Sequence, residues 1–219
     1  MKRNPLPCLA VLAACAVALS GGGCLAGLSS AGGAQGPAVN PAGATISDDG
    51  KTSWFDALDI GLEGQGWTGF AHPYDRLPAE AEGQVPAGVW KLSRHAAGLS
   101  VGFVTDSPTV AVRWSLRLDE LAMNHMPATG VSGVDLYVRR GDLWRWVATG
   151  RPEKVRGNEK TLVSSASRGA NEYRMYLPLY NAVDSVEIGL KPGSRLAKAP
   201  GYAAGRDKPM LFWGTSILQ

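Results

Sequence analysis

Near the end of the chain a serine stands where its hydroxyl could do chemistry. Met210-Leu211-Phe212-Trp213 is an unbroken apolar run, and Gly214-Thr215-Ser216 follows it directly. A continuous rather than alternating run is the pattern of a parallel strand covered on both faces. The carboxyl end of such a strand is where an open α/β sheet places its ligand site. Glycine permits a sharp turn, and a serine at the amino end of the next helix has backbone N–H groups beside it that can stabilise an oxyanion. The same residues serve equally as a plain helix cap. A serine hydroxyl attacks only when a general base takes its proton and a further group orients that base.

The three histidines, His72, His95 and His125, are dispersed along the chain. None forms a pair with the short-gap spacing of a metal site, so neither metal nor cofactor is expected. Structural hydrogen bonding is their default role, with supply of a histidine to a neighbouring active site as the alternative. Asp75 and Asp135 pose a similar choice. For Asp135 a structural role is expected, either pairing with Arg139 or Arg145 across a hairpin or fixing loop backbone. Trp114 reads as core, whereas Trp67, Tyr74, Trp144 and Trp146 fit either a core or a sugar-stacking platform.

These residues need a scaffold, and the sequence writes one in alternating strands. Val134, Leu136 and Val138 alternate with Asp135, Tyr137 and Arg139; Arg140-Gly141-Asp142 supplies a turn, and the return strand carries Trp144 and Trp146. Val110, Val112, Trp114 and Leu116 alternate with polar or small residues. Leu58, Ile60 and Leu62 follow the same rhythm, as do Leu99 to Phe103, Tyr173 to Leu177 and Val186 to Ile188. Leu58, Ile60, Val110, Val112, Trp114, Val134 and Leu136 are expected to face inward. The fold class is all-β: an antiparallel β-sandwich, jelly-roll-like, over residues 51–206, with residues 207–219 as the first parallel strand of an α/β domain. One short helical turn is expected at residues 118–125.

Gly133-Val134-Asp135-Leu136-Tyr137 resembles the Gly-x-Asp-Leu-Tyr motif of the β-sandwich that precedes the catalytic domain in bacterial SGNH (GDSL-like) esterases. The resemblance extends through His72-Pro73-Tyr74-Asp75-Arg76-Leu77-Pro78, Trp90 to Gly98, His125-Met126-Pro127-Ala128-Thr129-Gly130 and Tyr176-Leu177-Pro178-Leu179-Tyr180-Asn181. Phe212-Trp213-Gly214-Thr215-Ser216-Ile217 is similar to the first block of the esterase domain itself. The resemblance implies that Ser216 is the nucleophile, with Thr215 at the place of the commoner aspartate. It also implies a late Asp-x-x-His block carrying base and orienter. No such block occurs in this sequence, which runs three residues past Ser216. The chain is therefore expected to be a fragment, inactive alone, of a carbohydrate (acetyl) esterase acting on an acetylated polysaccharide or similar ester.

The start of the chain has a different character. Lys2 and Arg3 precede an apolar run from Leu6 to Leu19, too short for a membrane span of about 20 residues but suited to a signal peptide over residues 1–26. Cys15 and, less well placed, Cys24 are candidate lipid-anchor positions, with ordinary cleavage after a small residue near Ala26 or Ala31 as the alternative; either way a secreted, periplasmic or cell-surface location is expected. Residues 27–50 are dominated by Gly, Ala, Ser and Pro and read as a linker. Cys8, Cys15 and Cys24 are the only cysteines, so the sandwich has no internal disulfide. The net charge of +3 drops to +1 once Lys2 and Arg3 are removed, which argues against a nucleic-acid partner. A free-standing glycan- or protein-binding module is the alternative to an esterase segment; the apolar run at Met210 favours the esterase.

Overall fold

A computed structural model describes residues 36–202. The strands are β1 (Thr45–Ile46), β2 (Ser53–Asp56), β3 (Leu62–Glu63), β4 (Ser100–Thr105), β5 (Val110–Leu116), β6 (Val134–Arg140), β7 (Leu143–Gly150), β8 (Asn158–Val163), β9 (Asn171–Tyr176), β10 (Val183–Leu190) and β11 (Leu196–Lys198). Short helices α1 (Ala57–Ile60), α2 (Ala87–Ser93) and α3 (Ala128–Ser132) lie in the connections. One sheet has the order β1-β2-β10-β5-β8 and the other β11-β4-β9-β6-β7, with β3 also on β4. Every ladder between these strands is antiparallel.

This order is a jelly roll. The β6–β7 hairpin closes at Gly141, whose φ of 60° suits glycine. Moving outward from that turn, β5 pairs with β8, β4 with β9 and β2 with β10. The chain is thus a long double ribbon folded at Gly141 and wrapped so that successive strand pairs fall alternately in the two sheets. The two inner faces meet in one core.

Alternation fixes which side of each strand enters that core. In β5, Val110, Val112, Trp114 and Leu116 are buried while Ala111, Arg113 and Ser115 are half-exposed. Val134 and Leu136 of β6, Tyr173 and Met175 of β9, and Val186 and Ile188 of β10 close around them. Trp114 satisfies its indole N–H on the Ser132 carbonyl at 3.3 Å, so the largest core side chain leaves no donor orphaned. All six residues of β4 are buried, because the outer side at Gly102 is covered by Ala199 and Glu63.

Two local expectations are corrected. Leu58, Ile60 and Leu62 do not form one strand: Asp56 accepts a hydrogen bond from the Leu58 N–H at 2.9 Å and starts α1. The helical turn leaves Leu58 exposed and Ile60 buried before Gly61, with φ 122°, releases the chain into β3. Residues 118–125 are not helical; a Met123–Met126 bridge turns the chain there, and the helix starts after Pro127 as α3. Helix α2 had no counterpart among the sequence expectations.

Residues 36–50, placed in the expected linker, contribute to the sandwich. Ala38 bridges Ala197, and β1 extends the first sheet from β2. The expected signal segment and the stretch from residue 203 to Gln219, including Ser216, lie outside the described residues. No helix among the described residues is long and apolar enough to cross a membrane.

Candidate functional site

The Gly133–Tyr137 segment has two sides with different work. Val134 and Leu136 are fully buried, so Gly133, Asp135 and Tyr137 share the outer face of the sheet. Gly133 is required by close approach rather than by its backbone angles: a Cβ there would lie 2.3 Å from the Thr129 carbonyl oxygen and 2.9 Å from that of Gly150. Its absence lets α3 pack directly onto the start of β6. Asp135 accepts a hydrogen bond from the Thr149 hydroxyl, its cross-strand neighbour. The expected pairing of Asp135 with Arg139 or Arg145 is thereby corrected. A register shift between Leu136 and Tyr137 brings Thr149 opposite Asp135. Tyr137 meets Tyr176 edge-on at 5.6 Å, and with Asp135, Gly98 and Thr129 they line an open cleft of about 330 Å³.

Register extends this face sideways. Gly102, Arg174, Tyr137 and Trp146 lie opposite one another across β4, β9, β6 and β7, and directly opposed residues share a side of the sheet. Trp144 stands beside this row, its ring 5.3 Å from the Arg174 guanidinium. Arg174 also pairs with Glu63 at 3.0 Å. Trp67, Trp144 and Trp146 are exposed, whereas Tyr74 and Trp114 are core.

A second cluster surrounds Asp75. This carboxylate is fully buried and holds Arg94 and Arg117, each at 2.9 Å, while accepting the His72 N–H at 3.1 Å. Arg117 reaches on to Asp184 at 3.3 Å. Residues distant in sequence are thus joined by charge-assisted contacts, which fasten the loop before α2 to the end of β5. Asn181 does similar work: its side chain bonds both the N–H and the carbonyl of Leu118 and the Ser132 hydroxyl. Neither connection was visible in the sequence, since only folding brings their partners together.

The histidines are not assembled with one another. His72 and His125 are exposed, and His95 is buried beside a cleft of about 350 Å³ formed with Trp90, Arg94, Arg117 and Leu118. Burial, reinforced by the charges of Arg76 and Lys91, lowers its pKa to about 4. Neither ring nitrogen has a hydrogen-bond partner, so His95 is a neutral packing group. Among the described residues no cluster of metal-ligating side chains occurs.

The family model for the GxDLY domain, the N-terminus of SGNH hydrolase-type esterases, matches residues 52–196. The chain belongs to this family. The GxDLY domain is similar to the crystal structure of a Bacteroides ovatus protein described as a GDSL-like lipase, with 28% identity and a TM-score of 0.63, over 68% of this chain and 43% of that one. It is also similar to a salicylyl-acyltransferase from a tetracycline biosynthetic pathway, with 19% identity and a TM-score of 0.46, over 73% of this chain and 42% of that one. The chain spans less than half the length of either protein. No curated protein matches it.

Proposed function

We propose that this GxDLY domain is the leading part of an exported SGNH-type serine esterase that removes acetyl groups from polysaccharide or a similar carbohydrate ester. The observation that carries the reading is the family match over residues 52–196 followed by Gly214-Thr215-Ser216 behind an apolar run. In this reading the sandwich positions a catalytic domain that begins near residue 207, and Ser216 is the nucleophile. The coverage of the Bacteroides ovatus protein, 43%, fits a second domain following this one. The charged start and short apolar run support export, with Cys15 or Cys24 as the lipid-anchor position.

The chemistry sets the expected behaviour of the 219-residue chain. Without a base and its orienter, a serine hydroxyl at its free pKa is a weak nucleophile, and the missing partners supply several orders of magnitude in rate. Hydrolysis of an activated acetyl ester is the measurement. The chain and its Ser216→Ala variant are expected to match the buffer rate, and a protein extended by the natural downstream sequence is expected to turn over. Ser216-dependent hydrolysis by the 219-residue chain, or none by the extended protein, overturns the reading.

A further inference from the structure

The outer faces of the two sheets are finished differently. On the five-stranded sheet, Trp54 is 2% exposed: it lies against Gly189, and the Arg113 guanidinium covers its ring at 4.7 Å. On the other sheet, Trp146 is 60% and Tyr176 39% exposed, beside Tyr137 and Trp144. A contiguous aromatic surface left open on a strand face marks an interaction site.

The path of the chain indicates what covers it. After β11 at the sheet edge, the Ala199 N–H bonds the Gly102 carbonyl at 3.1 Å, and its methyl group lies over Gly102 on β4. Three residues later the Tyr202 hydroxyl donates to Glu63 at 3.0 Å and accepts from Arg174 of β9 at 3.4 Å. The chain thus runs on beside β4 through Ala199, and the Tyr202 side chain reaches over the outer face as far as Arg174 of β9. The next strands in that direction are β6 and β7, which carry Tyr137, Trp144 and Trp146. From β9 to β7 is two strand spacings, about 10 Å. The seven residues between Tyr202 and Met210 reach about 25 Å when extended.

We infer that the face bearing Tyr137, Tyr176, Trp144 and Trp146 is an intramolecular docking surface. Its occupant is the segment beginning at Met210-Leu211-Phe212-Trp213, with the domain that segment starts. The inference rests on the esterase reading given above. It adds which surface of the sandwich receives the hydrolase and gives the outward half of the Gly-x-Asp-Leu-Tyr motif a role: Asp135 and Tyr137 form part of the seat. Aromatic rings on a rigid sheet suit an apolar partner, because they lose little side-chain entropy on contact.

Oxidative footprinting of tryptophan and tyrosine side chains tests this in three proteins: the chain ended at Tyr202, the 219-residue chain, and the protein extended by its natural downstream sequence. Labelling of Trp144, Trp146, Tyr137 and Tyr176 is expected to fall several-fold in the extended protein relative to the chain ended at Tyr202. Exposed Trp67 should change little, and buried Trp114 should stay protected in all three as a check on folding. Substituting Trp146→Asp in the extended protein is expected to restore labelling of Tyr137 without exposing Trp114. An extended protein that hydrolyses ester yet labels these residues as the shortest chain does overturns the docking surface alone. One that neither hydrolyses nor protects them overturns the esterase reading and the inference with it. Protection of Trp144 and Trp146 in the shortest chain by added acetylated polysaccharide assigns the face to a glycan and also overturns the inference.

Discussion

Two buried polar side chains show how the same degree of burial has opposite consequences. Asp75 is fully enclosed but holds Arg94 and Arg117 at 2.9 Å, so its charge is compensated. Asp75→Ala removes one partner from two part-buried cations, and such a break costs about 3 kcal/mol or more. The denaturant midpoint should fall accordingly with an unchanged slope, and an unchanged midpoint would show that Arg117 is satisfied by Asp184 alone. His95 is enclosed without partners, and its pKa is lowered to about 4, first by burial and then by Arg76 and Lys91. In the unfolded chain a histidine titrates near about 6.5. Between these values the unfolded state binds the proton and the native state does not, so stability is lost as pH falls from about 6.5 to about 4. Replacing His95 by Gln removes this contribution. Melts at both ends of that window should show a smaller drop for the variant than for the parent.

Among the elements, the β6–β7 hairpin has the strictest demands, and they concentrate at Gly133. Its φ of −79° is open to any residue, yet a Cβ would sit 2.3 Å from the Thr129 carbonyl oxygen, where backbone on both sides has no freedom to yield. Gly133→Ala must push α3 off the strand or distort the pairing with Gly150. Overpacking of this kind costs about 1–3 kcal/mol. Thermal denaturation should show a clear loss. A melting temperature equal to the parent's would mean that α3 packs less closely than the structure shows. The hairpin also shows why the partner of Asp135 was not legible in the sequence. Arg145 lies opposite Val138, and regular pairing continued from the turn would set Ala148 against Asp135; the shift at Leu136–Tyr137 moves the partner strand by one residue and presents Thr149.

For the whole molecule, stability comes from one core shared by the two sheets. Cys8, Cys15 and Cys24 all precede the described residues, so reduction has no bond within the sandwich to break. Thermal melts with and without reductant should coincide. A drop of many degrees on reduction would reveal a bridge formed by the leading segment. The double-ribbon topology adds a second feature at this scale: the motif hairpin is the fold point of the ribbon, while both ends of the sandwich lie remote from it in sequence. Ala38 and Ala197, near those ends, nevertheless pair with each other. The sequence after β11 therefore leaves from the sheet that carries the motif.

The sequence by itself determined the strands whose alternation is long and unbroken. Val110 to Leu116 and Val134 to Val138 read directly as half-buried strands, because a period of two separates the sides over enough residues to exclude a helix. Leu58 to Leu62 was too short for that test, and a single cap at Asp56 turned it into α1. The motifs around Gly133 were legible, as was their family. Only the tertiary structure decided what each side of a strand faces. Alternation says that Tyr137 and Leu136 point to opposite sides; it does not say that the Tyr137 side carries Arg174 and Trp146, since those neighbours come from strands joined by long-range pairing. The union of Asp75, Arg94 and Arg117 was hidden for the same reason. A charge's partner is set by where the chain returns in space, and that is fixed when the core closes.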